Sequence, residues 1–185
     1  GSTSHTGAFD SPYQAYSAFA GSPYFISLDA LVEEGVLKQE EVDSFTWGDE
    51  ETRVDYGCLY SNRLKLLRKA YSRFTPTDDF RAFVAKNKEW LEDYTLFMAL
   101  KVHYNHCNWT QWEEEHRDHN KALAHSGEFE GEMGFWRWCQ YEFDVQWQAV
   151  HQHAREKGIS IIGDMPIYVA HDSVDVWANP EQFLL

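Results

Sequence analysis

The order of residues predicts an α/β fold to which this chain contributes a mostly helical part. Three observations carry that prediction. A long amphipathic segment, Glu130 to Lys157, is followed by Gly158 and then by the apolar run Ile159-Ser160-Ile161-Ile162, the order of a helix, a stop and a buried strand. That run leads into GDMPIYVAHDSVDVWANP, Gly163 to Pro180, a loop rich in carboxylates and aromatics. Ligand chemistry in α/β sheets and barrels sits where strands end. Between about Leu28 and Phe129 the pattern is helical with little strand signal. One strand cannot bury itself, so the run at 159–162 implies a larger sheet or barrel.

Each element has a local reason. Residues 1–24 are rich in Ser, Gly, Pro and aromatics and read as an irregular loop pinned by Phe9, Tyr13, Tyr16 and Phe19. Ser27 reads as the N-cap of a helix over Leu28 to Glu34, with Asp29 in its first turn and Gly35 as its stop. Lys38 to Phe45 reads as a second short helix, and Arg53 to Tyr56 as a short extended piece. Ser61 is the expected N-cap for Asn62 to Phe74, where Leu64, Leu67 and Tyr71 fall at helical spacing. Thr75-Pro76 breaks that helix. Thr77 or Asp78 caps the next, and Trp90, Tyr94, Phe97 and Met98 continue the period after Asn87. Trp109 to His125 reads as two helical pieces. In the last helix Phe135, Trp138, Cys139, Phe143, Trp147 and Val150 share an apolar side.

Composition narrows the function classes. A chain of 185 residues buries roughly 70% of its unfolded surface. With 16% aromatics, disorder is not expected. The net charge of −14 argues against nucleic acid and anionic membrane, which reward Lys and Arg. Cys58, Cys107 and Cys139 are odd in number and form no C-x-x-C, so neither a disulfide framework nor a zinc site is indicated, and a reducing cytoplasm is the simplest compartment. His103 with His106 and His116 with His119 stand three apart, without the further donors a metal site needs, and read as packed or surface histidines.

Two constellations point to chemistry. Asp164 stands at the expected strand end, with Pro166 fixing the chain beyond it, and reads as a site residue. Nearby, Asp172-Ser173 reads as a helix N-cap with Asp175 reaching back, the alternative being membership of the same carboxylate cluster. Paired carboxylates suit glycoside chemistry, although no other strand here offers partners at comparable positions. The second constellation is Ser11-Pro12-Tyr13-Gln14 with Ser17-Ala18-Phe19-Ala20-Gly21-Ser22-Pro23. Polar side chains interleaved with aromatics on a Gly/Pro-held loop can stack on sugar rings and bond their hydroxyls, and a loop pinned by its own aromatics is the alternative.

Those two segments, SPYQAYSAFAGSPYFISLDALVEEG and GDMPIYVAHDSVDVWANPEQF, closely resemble the 4-α-glucanotransferases, also called amylomaltases or disproportionating enzymes. RVDYG with the helix after it, YTLFMALK, and QWQAVHQHAREKGISIIGD follow the same family in the same order, so the resemblance covers almost the whole chain. It implies a partial (β/α)8 barrel with a large helical insertion. It implies transfer of α-1,4-glucan segments between maltooligosaccharides or starch-like chains by a retaining two-step mechanism, with no metal or organic cofactor. On this resemblance Asp164 matches a strand-end aspartate that contacts sugar near the cleavage point. Ser11 and Tyr13 match loop residues of the donor-side glucose positions. One departure is Ser22, where the family commonly has Asn.

The same resemblance implies that the nucleophile, acid/base and stabilising carboxylates follow the DVWANP segment. The first barrel strand is expected before the opening loop. The expectation is therefore an amino-proximal fragment that contacts substrate but is inactive by itself. Residues 1–26 are expected as a substrate-contact loop, 27–129 as a helical insertion, and 130–185 as barrel helix, strand and strand-end loop. The expected partners are an α-1,4-glucan and the remaining part of the same barrel, with neither nucleic acid nor membrane. The alternative is a non-catalytic helical module that binds glucan or another chain.

Overall fold

The computed structural model describes residues 2–3, 14–50, 52–163 and 168–184. The opening pairs two short antiparallel strands, β1 (Ser2–Thr3) and β2 (Ala15–Ser17). A 3-10 turn at Pro23–Phe25 leads to helix α1 (Leu28–Glu33), and Ser27 caps it by accepting the Ala30 N–H at 3.3 Å. Gly35 stops it at φ +78°, where a side chain would be strained. Helix α2 (Gln39–Asp43) is held by Glu41, whose carboxylate accepts the Lys38 N–H and both arms of Arg73 at 2.7 and 2.8 Å.

Helix α3 (Tyr56–Tyr71) starts earlier than the sequence predicts. Asp55, not Ser61, is its cap: the Asp55 carboxylate accepts the Cys58 N–H at 2.9 Å and sets a negative charge at the positive helix end. The piece read as extended over Arg53 to Tyr56 is thus the entry to a helix. Helix α4 (Asp78–Lys86) is capped by Thr77, one of the two candidates, and Asp78 is its first residue. Helix α5 (Lys88–His103) is the centre of the molecule, since every residue from Tyr94 to Lys101 is buried. The predicted pieces between 109 and 125 appear as a 3-10 turn (Trp109–Gln111), α6 (Glu114–Arg117) and α7 (His119–Ala124). Among the described elements, helix α8 (Glu130–Glu156) packs most extensively along α5, and α9 (Val174–Ala178) is followed by a 3-10 turn at Pro180–Gln182. The core runs continuously from Tyr16 and Ile26 through Leu66, Phe97 and Trp138 to Trp177.

Two expectations fail at the end of α8. The run Ile159 to Ile162 forms no strand and is not buried: Ile159 is 60% and Ile162 93% exposed. A strand is stabilised by neighbours on both edges and a covered face, and no described element supplies them here. The apolar stripe of α8 is likewise covered only in its first half. Phe135, Trp138 and Cys139 are buried, whereas Trp147 and Val150 face solvent. The helical period is right, but described neighbours pack against only part of it. Gly158 does end the helix, at φ +68°.

Among the described residues no helix is long and apolar enough to cross a membrane. The three cysteines are free.

Candidate functional site

Ser11, Tyr13 and Asp164 lie outside the described residues. The next described segments along the chain, 14–21 and 168–178, are fastened to one another. Asp175 accepts the Ala18 N–H at 2.9 Å, a bond that spans 157 positions of sequence. Burial raises the Asp175 carboxyl above the usual range, and the Ala18 N–H partly offsets this. Ser17 is buried and its hydroxyl accepts the N–H groups of Phe19 and Ala20, which fixes the turn after β2.

The opening loop is also held from α8. The Gln140 side-chain amide bonds both backbone groups of Gly21, accepting its N–H at 2.8 Å and donating to its carbonyl at 3.0 Å. Farther along, Gln146 accepts the Ser27 N–H at 2.7 Å. Gly21 lies so close to the Phe143 ring that a Cβ there would overlap it. The loop backbone is therefore packed directly on side chains of α8 at this point.

The closing segment is held by a buried cation. Lys101 of α5 is wholly buried, and its ammonium donates to Asp172 Oδ2 at 2.7 Å and to the carbonyls of His106 and Cys107 at 3.0 and 2.7 Å. Its three protons thus meet three acceptors. The ammonium also lies 4.9 Å from the centroid of the Tyr16 ring. Asp172 turns its other oxygen to the Trp109 N–H, and the Trp109 indole donates to the His171 carbonyl at 2.8 Å while stacking on the His171 ring. Trp177 donates to the His116 carbonyl at 3.0 Å. The cap of α9 is Ser173, which accepts the Val176 N–H, so Asp172 is an ion-pair partner and not the N-cap read from the sequence. Asp175 reaches the opening loop and does not close a capping box.

Where the two segments meet, a surface cleft of about 290 Å³ is lined by Ser17, Phe19, Trp90, Asp93, Asp175 and Asn179. Phe19 is exposed and stacks on Trp90 with ring centroids 6.2 Å apart. An open aromatic face beside carboxylate and amide groups is the chemistry that receives a sugar ring and its hydroxyls. A larger cleft, about 490 Å³, lies elsewhere, between α3, α4, α5 and α8, and shares no lining residue with the first. Its walls are largely apolar, including Tyr71, Phe74, Phe80 and Leu91, so the smaller cleft is the better match to a polyhydroxyl ligand.

Sequence reasoning missed Lys101, Trp90, Asp93 and Asn179. A signal was available for Lys101: a cation in the otherwise apolar run TLFMALK has to be exposed or paired. The histidines have packing partners: His116 bonds the Tyr104 hydroxyl and His119 bonds Asp93, each at 2.7 Å. Among the described residues no group of three or more His, Cys, Asp or Glu is arranged to hold a metal ion.

Comparison with known proteins adds to this geometry. A sequence profile of the family described as 4-alpha-glucanotransferase matches residues 2–185. The chain is 43% identical over 180 residues to a 4-alpha-glucanotransferase of Clostridium butyricum, covering 95% of this chain and 37% of that protein. It is 41% identical to one of Thermus thermophilus, covering 97% of this chain and 37% of the relative. Among solved structures it is similar to an amylomaltase from Streptococcus agalactiae in complex with acarbose. That match has a TM-score of 0.87 and 35% identity, and covers 95% of this chain and 37% of the other. The chain thus spans little more than a third of the length of these relatives.

Proposed function

This chain belongs to the 4-alpha-glucanotransferase family, and we propose that it is the amino-proximal part of an enzyme that transfers α-1,4-glucan segments between maltooligosaccharides or starch-like chains. Its part in that reaction is to hold sugar. Ser11 and Tyr13 line donor-side glucose positions, and Asp164 contacts the sugar near the bond that is cut. Residues 1–26 serve as a substrate-contact loop of the barrel, 27–129 as a helical insertion, and 130–185 as barrel helix and strand-end loop. The protein acts in the cytoplasm.

One observation supports this reading above the others. The segments following the two sugar-contact motifs are joined directly, through the Ala18 N–H and Asp175, although they lie at opposite ends of the chain. A donor glucan spanning both motifs would meet a single surface, with the Phe19 face and the Asp175 and Asn179 side chains at its edge. In a retaining transfer a carboxylate displaces the leaving glucan, and an acceptor hydroxyl then displaces the carboxylate. Holding the donor ring in register is what such a surface contributes.

The test is Tyr13→Ala in the full-length protein, titrated with maltoheptaose and assayed for disproportionation of maltotriose. Loss of one stacking partner is expected to cost about 1 kcal/mol, roughly a fivefold rise in Kd. Unchanged affinity and turnover would remove Tyr13 from the site.

A further inference from the structure

We propose that Lys101 is a positioning residue, which sets the two sugar-contact segments in register with each other through one buried ammonium. The proposal rests on the glucan-binding reading above. It starts from an oddity of the sequence. A lysine buried in the last turn of a helix is costly to desolvate, and an apolar residue there would pack α5 at least as well. Lys101 is wholly buried, so packing alone does not account for it.

What the ammonium holds does account for it. Two of its protons go to the carbonyls of His106 and Cys107. These close a turn in which consecutive non-glycine residues, Asn105 and His106, have φ +50° and +61°. That conformation is strained for a side-chain-bearing residue and persists where its surroundings over-determine it. The turn in turn aims the Trp109 N–H at Asp172. The third proton goes to Asp172 itself, so the position of the closing segment is fixed from both of its oxygens. On its other side the ammonium lies near the face of Tyr16, in the strand that follows Ser11 and Tyr13. One charge therefore touches the segment after Asp164 and the segment after Tyr13. Asp175 adds a second link between the same two segments at Ala18. The described segments after both motifs are thus referenced to a single point on the buried helix α5.

This role makes a prediction that simple stabilisation does not. A buried ion pair replaced on both sides by apolar groups of similar size often keeps or regains stability. In Lys101→Met/Asp172→Leu, folding stability is expected to recover part of what either single variant loses, short of full recovery because backbone groups at 106, 107 and 109 lose their partners. Glucan affinity is not expected to recover, because the apolar pair cannot reproduce the directed bonds to Trp109, His106 and Cys107.

The experiment uses the full-length protein with Lys101→Met, Asp172→Asn, the double variant and Tyr13→Ala. Maltoheptaose is the titrant, and stability and amide hydrogen exchange are measured in parallel. Lys101→Met and Asp172→Asn are expected to raise Kd on the order of tenfold or more, in line with the cost of small misplacements in a site. Exchange is expected to rise in 14–18 and in 168–176 together while the buried turns of α8 stay protected. If Lys101→Met does not fold, Asp172→Asn carries the same test. Affinity recovering together with stability in the double variant would overturn the proposal, as would unchanged affinity in Asp172→Asn. Should the unmodified protein bind no glucan, or Tyr13→Ala bind as tightly as it does, the functional reading fails. The coupling is then decided by exchange: a rise in both segments supports it, and a rise in only one overturns it.

Discussion

The carboxyl of Glu142 should make the stability of this protein fall as pH rises through neutrality. Glu142 lies on α8 and is only 3% exposed. Burial, reinforced by the like charge of Glu34 at the end of α1, raises its pKa from 4.5 to about 7. Burial also raises Glu34 itself, so the two titrate as a pair. The folded state therefore holds a proton that the unfolded state releases. For a raised pKa, the stabilisation is fully present below the unfolded value near 4.5 and is lost as pH climbs through the folded value near 7. At 1.36 kcal/mol per unit, the rise corresponds to about 3 kcal/mol between pH 4.5 and pH 8. Glu142→Gln replaces the proton-binding group with a neutral amide of the same shape. Urea denaturation of both proteins at several pH values from 5 to 8 measures the effect. Histidines titrate in the same window, so the quantity to compare is the difference in slope between the two proteins. The variant should gain on the unmodified protein by about 2 to 3 kcal/mol over that range. Parallel profiles would refute the argument that this carboxyl is buried uncharged against Glu34.

Three further outcomes follow from local geometry. Gly21→Ala drives a methyl into the Phe143 ring and should cost about 1 to 3 kcal/mol in urea denaturation, with Phe143→Leu restoring part of the loss. Asp55→Ala should remove about 1 kcal/mol by uncapping α3, while Ser61→Ala leaves the midpoint within experimental error; the reverse result would return the cap to Ser61. Phe19→Ala should leave stability nearly unchanged, because the ring is 70% exposed, yet weaken maltoheptaose binding about fivefold by calorimetry.

What the sequence reveals divides by range. The caps at Ser27 and Thr77 and the stops at Gly35 and Gly158 are readable because each is settled within a few residues. The helical period of α8 is readable too, but which half of its stripe is covered depends on neighbours that periodicity does not describe. The run at 159–162 shows the same limit more sharply. Four apolar and small residues after a glycine specify a strand only where another strand lies beside them. At α3 the expected cap, Ser61, lies inside the helix, which begins earlier at Tyr56 with Asp55 as its cap. For the site, the motifs name Ser11, Tyr13 and Asp164, but not how they are held. Lys101 and Asp172 are 71 positions apart, and Ala18 and Asp175 are 157 apart. Pairing over such distances leaves no local trace beyond a charge in an apolar run.

The central claim is that the two distant motif segments form one glucan surface. Amide hydrogen exchange of the full-length protein with and without saturating maltoheptaose tests it most directly. Protection is expected together in 11–21 and 164–178, with the cleft between α3 and α4 unchanged. Protection confined to one segment, or appearing instead around Tyr71, Phe74 and Phe80, would contradict it.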